Sequence, residues 1–305
     1  MVEYVEVKTE RGRAAVTLSS ITFVVGSGKS LFLETLYKVV SSVGRKVPRI
    51  GRGHVYLQDG DVSYALSVER GRVRQSVSAR GEELVFEWIP GKSIHRLVKP
   101  IDMAVLNADV VMPEVKTQEH VSIVAEEDLE RLNQVVNTAR RRLGVRALFL
   151  GPYISPKSLV DASTNYATLD RHARNLVGVL AYLSLYKPTA YESLKTHLRK
   201  LGFSLSVGWA KPGKLGALIS TKSVKIPVAK APCSVKAFLA VATALEVGPE
   251  LLLIDNFDFC ITPRVAEALS ALIKQKKTKI VTEIHDIRLA DYFNIPGKTV
   301  VEVNL

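Results

Sequence analysis

The stretch ITFVVGSGKSLFLETLYKVVSSV, from Ile21 to Val43, decides how the chain is read. Ile21 to Val25 is a short β-branched apolar run, the pattern of a strand buried on both faces. Gly26-Ser27-Gly28-Lys29-Ser30 follows, and Leu33, Leu36, Tyr37, Val40 and Val43 then recur at helical spacing until Gly44 stops the helix. Strand, Gly-rich turn with Lys-Ser, and helix together cradle phosphate. Backbone N–H groups and the helix N-terminus face the anion, the lysine reaches the β and γ oxygens, and the serine hydroxyl can hold Mg²⁺. The full pattern has four residues between its first glycine and Gly-Lys-Ser. Counting back from Gly28 puts Phe23 at that first position, and starting from Gly26 leaves only Ser27 between. The loop is therefore shortened or short of a glycine. A flexible turn of the same composition is the alternative reading.

Upstream, residues 2–8 alternate apolar and charged as an edge strand does, and Thr9 to Arg13 is a turn holding Arg11-Gly12. Downstream, residues 54–89 hold alternating stretches broken at Asp59-Gly60-Asp61, Arg70-Gly71 and Arg80-Gly81, an antiparallel meander. Residues 122–143 read as one long helix whose Leu129, Leu132, Val136, Ala139 and Leu143 form a heptad seam too short for a coiled coil, so packing on its own domain is expected. Leu169 to Leu185, Tyr191 to Leu201 and Val235 to Leu245 read as helices, and Phe203 to Ile226 as a second group of strands. Leu251 to Ile254 is four aliphatics closing on Asp255, and Lys279 to His285 is another strand ending on a titratable residue. Lys29, Asp255 and His285 thus each stand at or just beyond a parallel-type strand, the edge at which open α/β sheets bind ligands.

With 305 residues, 47% of them hydrophobic, the chain can bury a large core. The expected organisation is a single domain in lobes: residues 1–120 with the phosphate loop and meander, 121–230 with helices and further strands, and 231–305 with the Asp255 and His285 half of the site. Lys and Arg number 42 against 30 Asp and Glu, a net +12, which points to a polyanionic partner, nucleic acid before membrane. A generally basic, well-solvated surface accounts for the same number. No apolar run approaches the roughly 18 residues of a membrane span, and Glu3, Glu6 and Lys8 argue against a signal peptide. Cys233 and Cys260 make no metal pattern and no disulfide framework, so a cytoplasmic protein is expected.

The chain resembles an ABC-type P-loop ATPase of the RecF/SMC-like branch, in the short archaeal and bacterial form without a long coiled coil. The resemblance runs nearly end to end. It covers the strand before Arg11-Gly12, ITFVVGSGKS, the meander, DRHARNLVGVLAYL at 170–183, PELLLIDNFD at 249–258, ITPRVAEAL at 261–269 and IVTEIHD at 280–286. It implies an α/β fold with a mixed or parallel central sheet, an antiparallel meander and a helical subdomain. It also implies Mg-ATP as cofactor. Gly26, Ser27, Gly28, Lys29 and Ser30 would bind phosphate, Ser30 and Asp255 the Mg²⁺, His285 would sense the γ-phosphate, and Arg11 would lie near the nucleotide.

The chain departs from the family at several places. Besides the short loop, Asn256 stands where the glutamate that polarises the attacking water is expected, and an amide cannot accept that proton. Ala231-Pro232-Cys233-Ser234-Val235-Lys236 replaces a Leu-Ser-Gly-Gly-like segment, leaving Ser234 alone of the clamp that reaches a partner's γ-phosphate. Gln58 is the nearest glutamine for the Mg²⁺-sensing loop, but it falls in a strand pattern. The resulting expectation is a nucleotide-binding protein with weak or absent hydrolysis, a subunit or regulator in DNA maintenance. It would pair as a homodimer, or as a heterodimer with an intact ATPase. An active ATPase using Glu283 or Asp258, and a relic nucleotide site on a nucleic-acid- or protein-binding module, are the alternatives. His172 and His197 read as structural.

Overall fold

The computed structural model describes residues 2–43, 48–88, 94–99, 103–106 and 126–305; the helix stop at Gly44 and the first residues of the expected 122–143 helix lie outside them. In chain order the elements are β1 Tyr4–Thr9, β2 Arg13–Thr17, β3 Ile21–Ser27, α1 Lys29–Val40, β4 Gly53–Asp59, β5 Val62–Glu69, β6 Arg72–Ala79, β7 Glu82–Trp88, β8 Ile94–Lys99, β9 Met103–Leu106 and α2 Glu126–Leu143. They continue with β10 Ala147–Leu150, β11 Leu159–Asp161, α3 Leu176–Tyr186, α4 Pro188–Lys200, β12 Ser204–Lys211, β13 Lys214–Ser220, β14 Lys225–Pro227, α5 Cys233–Val247, β15 Leu251–Ile254, α6 Pro263–Ile273, β16 Lys279–Glu283 and β17 Lys298–Asn304. The fold is α/β, with parallel and antiparallel strands. Two compact units divide the chain: residues 1–18, 26–147 and 302–305 form the first, and 19–25 with 148–301 the second. β3 and β17 each begin in the second unit and end in the first.

In the first unit the strands run β2-β1-β4-β5-β6-β7-β8-β9, neighbours antiparallel, with Asn304 of β17 opposite Arg13 of β2. The β5–β6 and β6–β7 connections are the two-residue pairs Arg70-Gly71 and Arg80-Gly81, with positive φ at all four residues. That backbone twist matches the flanking strands, so the register of the meander follows from its turns. α2 lies on β4–β7 and buries Leu132, Val135, Val136, Ala139 and Leu143. Arg142 bonds the Asp59 carboxylate and, at 3.1 Å, the Asp59 carbonyl. Burial pushes the Asp59 carboxyl up, but Arg142 and a neighbouring positive charge outweigh it and hold it below the usual range.

In the second unit the sheet order is β10-β15-β16-β3, with β15, β16 and the start of β3 parallel, Ile254 opposite Thr282 and Glu283 opposite Val24. A smaller antiparallel sheet puts β13 between β11 and β12, with β14 also on β13. α3, α5 and α6 share one apolar core with β15 and β16, including Leu176, Leu180, Phe238, Leu252, Leu269 and Ile280. α3 starts at Leu176, later than its apolar spacing suggests. Asp170 captures the N–H groups of His172, Arg174 and Asn175, while Asn175 Oδ1 accepts from Asp170 N–H, and this side-chain network holds residues 170–175 as a turn. α4 opens at Pro188, whose fixed φ suits the first helical position. Cys233 and Cys260 form a disulfide, Cα–Cα 5.5 Å apart, which corrects the expectation from their spacing. Residues far apart in sequence meet because the start of α5 and the turn after β15 pack together. Among the described residues no helix is long and apolar enough to cross a membrane.

Candidate functional site: a glycine-lysine-serine turn and two strand ends

In the first unit β3 continues through Gly26 to Ser27 and α1 begins at Lys29, so Gly28 alone separates strand from helix. Gly26 has φ 98° and Gly28 φ 72°, both left-handed. β17 supplies a second requirement: a Cβ on Gly26 would stand 2.2 Å from the Val303 carbonyl oxygen, and one on Gly28 2.7 Å from that of Leu305. Leu305 N–H donates to Ser27 O at 3.3 Å, and Ser27 Oγ to Asn304 Oδ1 at 3.2 Å. Lys29 folds back so that Nζ donates to Gly26 O at 3.0 Å. The turn is exposed at Gly26, Ser27 and Ser30. It is a small cup over a helix N-terminus with an ammonium at its lip, chemistry suited to a phosphate oxygen. It is also shorter than the full cradle, because the strand takes up residues that would otherwise curl around the anion.

Arg11 sits in the β1–β2 turn, where Thr9 Oγ1 accepts from the N–H groups of Arg11 at 3.1 Å and Gly12 at 3.2 Å. It lines a groove of about 460 Å³ with Lys8, Arg52 and His54, and with Leu31 and Thr35 of α1. Arg11 thus shares a groove with α1 through Leu31 and Thr35, where Glu10 stands among the basic side chains, 3.5 Å from Arg52.

In the second unit Asp255 directly follows β15, 6% exposed, its N–H donating to Leu150 O at 2.9 Å. Asn256 follows in the left-handed region, φ 53° and ψ 48°. Asparagine tolerates this conformation better than a longer acid, so the backbone gives its own reason for an amide at this position. Both residues line a cavity of about 190 Å³ with Tyr153, Lys236, Cys233 and Cys260. Residues 151–154 also line this cavity, a part that the sequence pattern does not point to. The available signal was ALFL at 147–150, an apolar run closing on Gly151-Pro152 much as β15 closes on Asp255.

His285 is held between two acids. Its Nδ1 is 3.2 Å from Asp258 Oδ1 and its Nε2 3.4 Å from Glu283 Oε1. An imidazolium donates to both, a neutral ring to only one. Asp258 Oδ2 also accepts the N–H groups of His285 at 2.5 Å and Asp286 at 2.9 Å. Ser234 lies in the first turn of α5, half-buried, and does not line the Asp255 cavity. Gln58 is in β4 and its Nε2 donates to Gly60 O at 3.0 Å. His172 and His197 each place Nδ1 against a backbone carbonyl, at 3.3 and 2.9 Å.

No family model matches the chain, and no curated protein does. Among solved structures it is similar to an SMC head bound to the C-terminal winged-helix domain of ScpA, with 13% identity, TM-score 0.48 and coverage of 100% of this chain and 94% of that one. The SMC head domain from Thermotoga maritima gives 13% identity and TM-score 0.41, covering 96% and 92%. A putative ABC transporter ATP-binding protein from Pyrococcus furiosus gives 9% and 0.38, covering 93% and 92%.

The electrostatics of the His285 site give a pH prediction. Burial works to raise the Asp258 carboxyl, but the N–H groups of Asp286 and His285 and the His285 ring together hold it below its ordinary value. A depressed carboxyl contributes stability above its unfolded pKa of about 3.9, and that contribution is lost as pH falls through the folded value. Asp258→Asn therefore lowers stability at pH 7, and the gap from wild type closes as pH drops below about 4. Denaturant titrations across pH 2–7 measure it. A gap that stays constant across this range contradicts the assignment.

Proposed function

We propose that the chain is a nucleotide-binding protein that takes up Mg-ATP and hydrolyses it slowly. The observation that carries this reading is the parallel set β15-β16-β3: two strands close on Asp255 and on the residues around His285, and the third leads into Gly-Ser-Gly-Lys-Ser and a helix. The amides, ammonium and hydroxyl of the first unit's turn fit the charge of a phosphate, and the buried Asp255 carboxylate of the second unit suits Mg²⁺, which prefers hard oxygen donors. Bound Mg²⁺ would neutralise charge on the β and γ phosphates. In the first unit Lys29 would neutralise a phosphate oxygen and the Ser30 hydroxyl is a donor suited to the metal; in the second unit Asp255 is the carboxylate suited to it, and His285 is the candidate γ-phosphate contact. Asn256 can orient a water by hydrogen bonding but cannot take its proton, and loss of a positioned base costs roughly 10²–10⁴-fold in rate.

Slow turnover suits a subunit that stays in a nucleotide-bound state. On this reading the chain pairs with a second copy or with an ATPase that keeps its glutamate, acts on DNA through its +12 charge, and works in the cytoplasm. The test is equilibrium binding of a fluorescent ATP analogue with Mg²⁺. Lys29→Ala removes one charge-assisted contact and lowers affinity roughly 10- to 100-fold. Equal affinity in both proteins removes Lys29 from the site.

Glu283 favours a second reading, an ATPase using another acid. It is 5% exposed and lies beside His285 Nε2, whereas Asp258 is taken up by three donors. Loss of turnover in Glu283→Gln, with binding intact, supports that reading over the first. A third, the relic site on a nucleic-acid-binding module, predicts DNA affinity that falls steeply with salt and ignores nucleotide.

A further inference from the structure

We propose that the Cys233–Cys260 disulfide is a reversible thiol–disulfide clip that holds the turn from Asn256 to Cys260, and with it the Asp258–His285 pair. Its two ends are anchored very differently. Cys233 opens α5, where Val235 and Lys236 N–H both donate to Pro232 O at 3.0 Å and the residues from Ala237 to Leu245 are buried. Cys260 ends a single 3-10 turn whose backbone bonds, Phe259 N–H to Asn256 O and Ile261 N–H to Asp258 O, are both 3.4 Å, at the long limit for hydrogen bonds. Phe259 in that turn is 65% exposed. Three side-chain anchors remain: Phe257 in the core, 5.7 Å from Phe293 between ring centroids, the Asp258 carboxylate, and the disulfide. Cutting the disulfide therefore removes one of the turn's three side-chain anchors, loosening it, and leaves the helix in place.

The turn carries function by position. It directly follows Asp255 and Asn256, both cysteines line the cavity those residues share with Lys236, and Asp258 within it holds the backbone and ring of His285. Opening the clip loosens the acid that positions His285. Its consequence for nucleotide rests on the function proposed above, but the opening itself does not.

The chemistry balances with a dithiol as reductant. Its thiolate attacks Sγ of Cys233, the more exposed partner, breaking the S–S bond and expelling Cys260 as thiolate. The second thiol of the reductant then displaces Cys233, which leaves at a helix N-terminus that favours a thiolate. Two electrons pass to the cysteine pair, the reductant becomes a disulfide, and its two protons end on Cys233 and Cys260.

The experiment is hydrogen exchange of the wild-type protein, oxidised and after excess dithiothreitol, with thiols counted in each state, beside a Cys233→Ser/Cys260→Ser double variant. Reduction is expected to speed exchange at 257–260 and 285–286 by roughly tenfold or more, to leave 239–245 in α5 unchanged, and to reverse on reoxidation. The double variant should resemble the reduced protein with or without dithiothreitol. A disulfide that native protein does not yield to dithiothreitol overturns the proposal. So does reduction that leaves 257–260 and 285–286 unchanged, or that loosens α5 equally. The same samples titrated with the fluorescent ATP analogue separate the two ideas: no binding in either state removes the nucleotide reading and leaves the exchange difference standing.

Discussion

Phe23→Ala is expected to destabilise the protein by about 3–5 kcal/mol, the range for deleting a buried aromatic ring. Phe23 is fully buried in β3, and its ring stands 5.3 Å from that of Phe293, which in turn is 5.7 Å from Phe257. This row of rings joins the start of β3, the segment after β16, and the turn after β15 within the second unit. Tilted aromatic pairs add about 0.5–1.5 kcal/mol beyond area burial, and alanine forfeits that as well as leaving a cavity. Phe259→Ala is the matched control: the same deletion at a 65% exposed position should stay within about 0.5 kcal/mol. Chemical denaturation of both variants measures the contrast, and similar losses would mean that the row of rings does not organise this unit.

Asn256→Glu should have opposing effects. Restoring a carboxylate able to take the proton of an attacking water should raise turnover by up to roughly 10²-fold, the low end of what a positioned base supplies. The same change puts a longer side chain into the left-handed backbone at φ 53°, at a cost of about 1–2 kcal/mol. Asn256→Gly separates the terms, because glycine adopts that backbone freely and brings no base. It should keep stability and leave turnover slow. Faster hydrolysis in the glutamate variant, with slow hydrolysis in the glycine variant, assigns the missing chemistry to the side chain. No gain with glutamate, together with loss of turnover in Glu283→Gln, transfers the base to Glu283.

The fold is most legible in the sequence where pattern and backbone chemistry coincide. Ile21 to Val25 leading to Gly-Ser-Gly-Lys-Ser, the aliphatic run closing on Asp255, and the Arg70-Gly71 and Arg80-Gly81 turns each carry local signals that the fold keeps. The apolar spacing places the start of α3 at Leu169, but the Asp170 carboxylate takes three N–H groups and delays the helix to Leu176. The disulfide could not be read from two cysteines 27 residues apart, since nothing in that spacing says that α5 opens against the turn after β15. The Asp258–His285–Glu283 arrangement depends on β15 and β16 being neighbours, a fact of topology. Sequence alternation placed Glu283 and His285 on one face but left Asp258 on a loop. Asn256 was read from its chemistry as a lost base, and the structure adds a conformational reason for asparagine there.

On the function proposed here, nucleotide is held without being turned over quickly. The most direct measurement mixes excess wild-type protein with labelled Mg-ATP, quenches after about 10 s, and separates ATP from ADP in the protein-bound fraction. With turnover at least 10²-fold below an ordinary 1 s⁻¹, roughly nine-tenths of the bound nucleotide should still be ATP. Bound nucleotide that is mostly ADP at that time, or no retained nucleotide at all, would contradict the account.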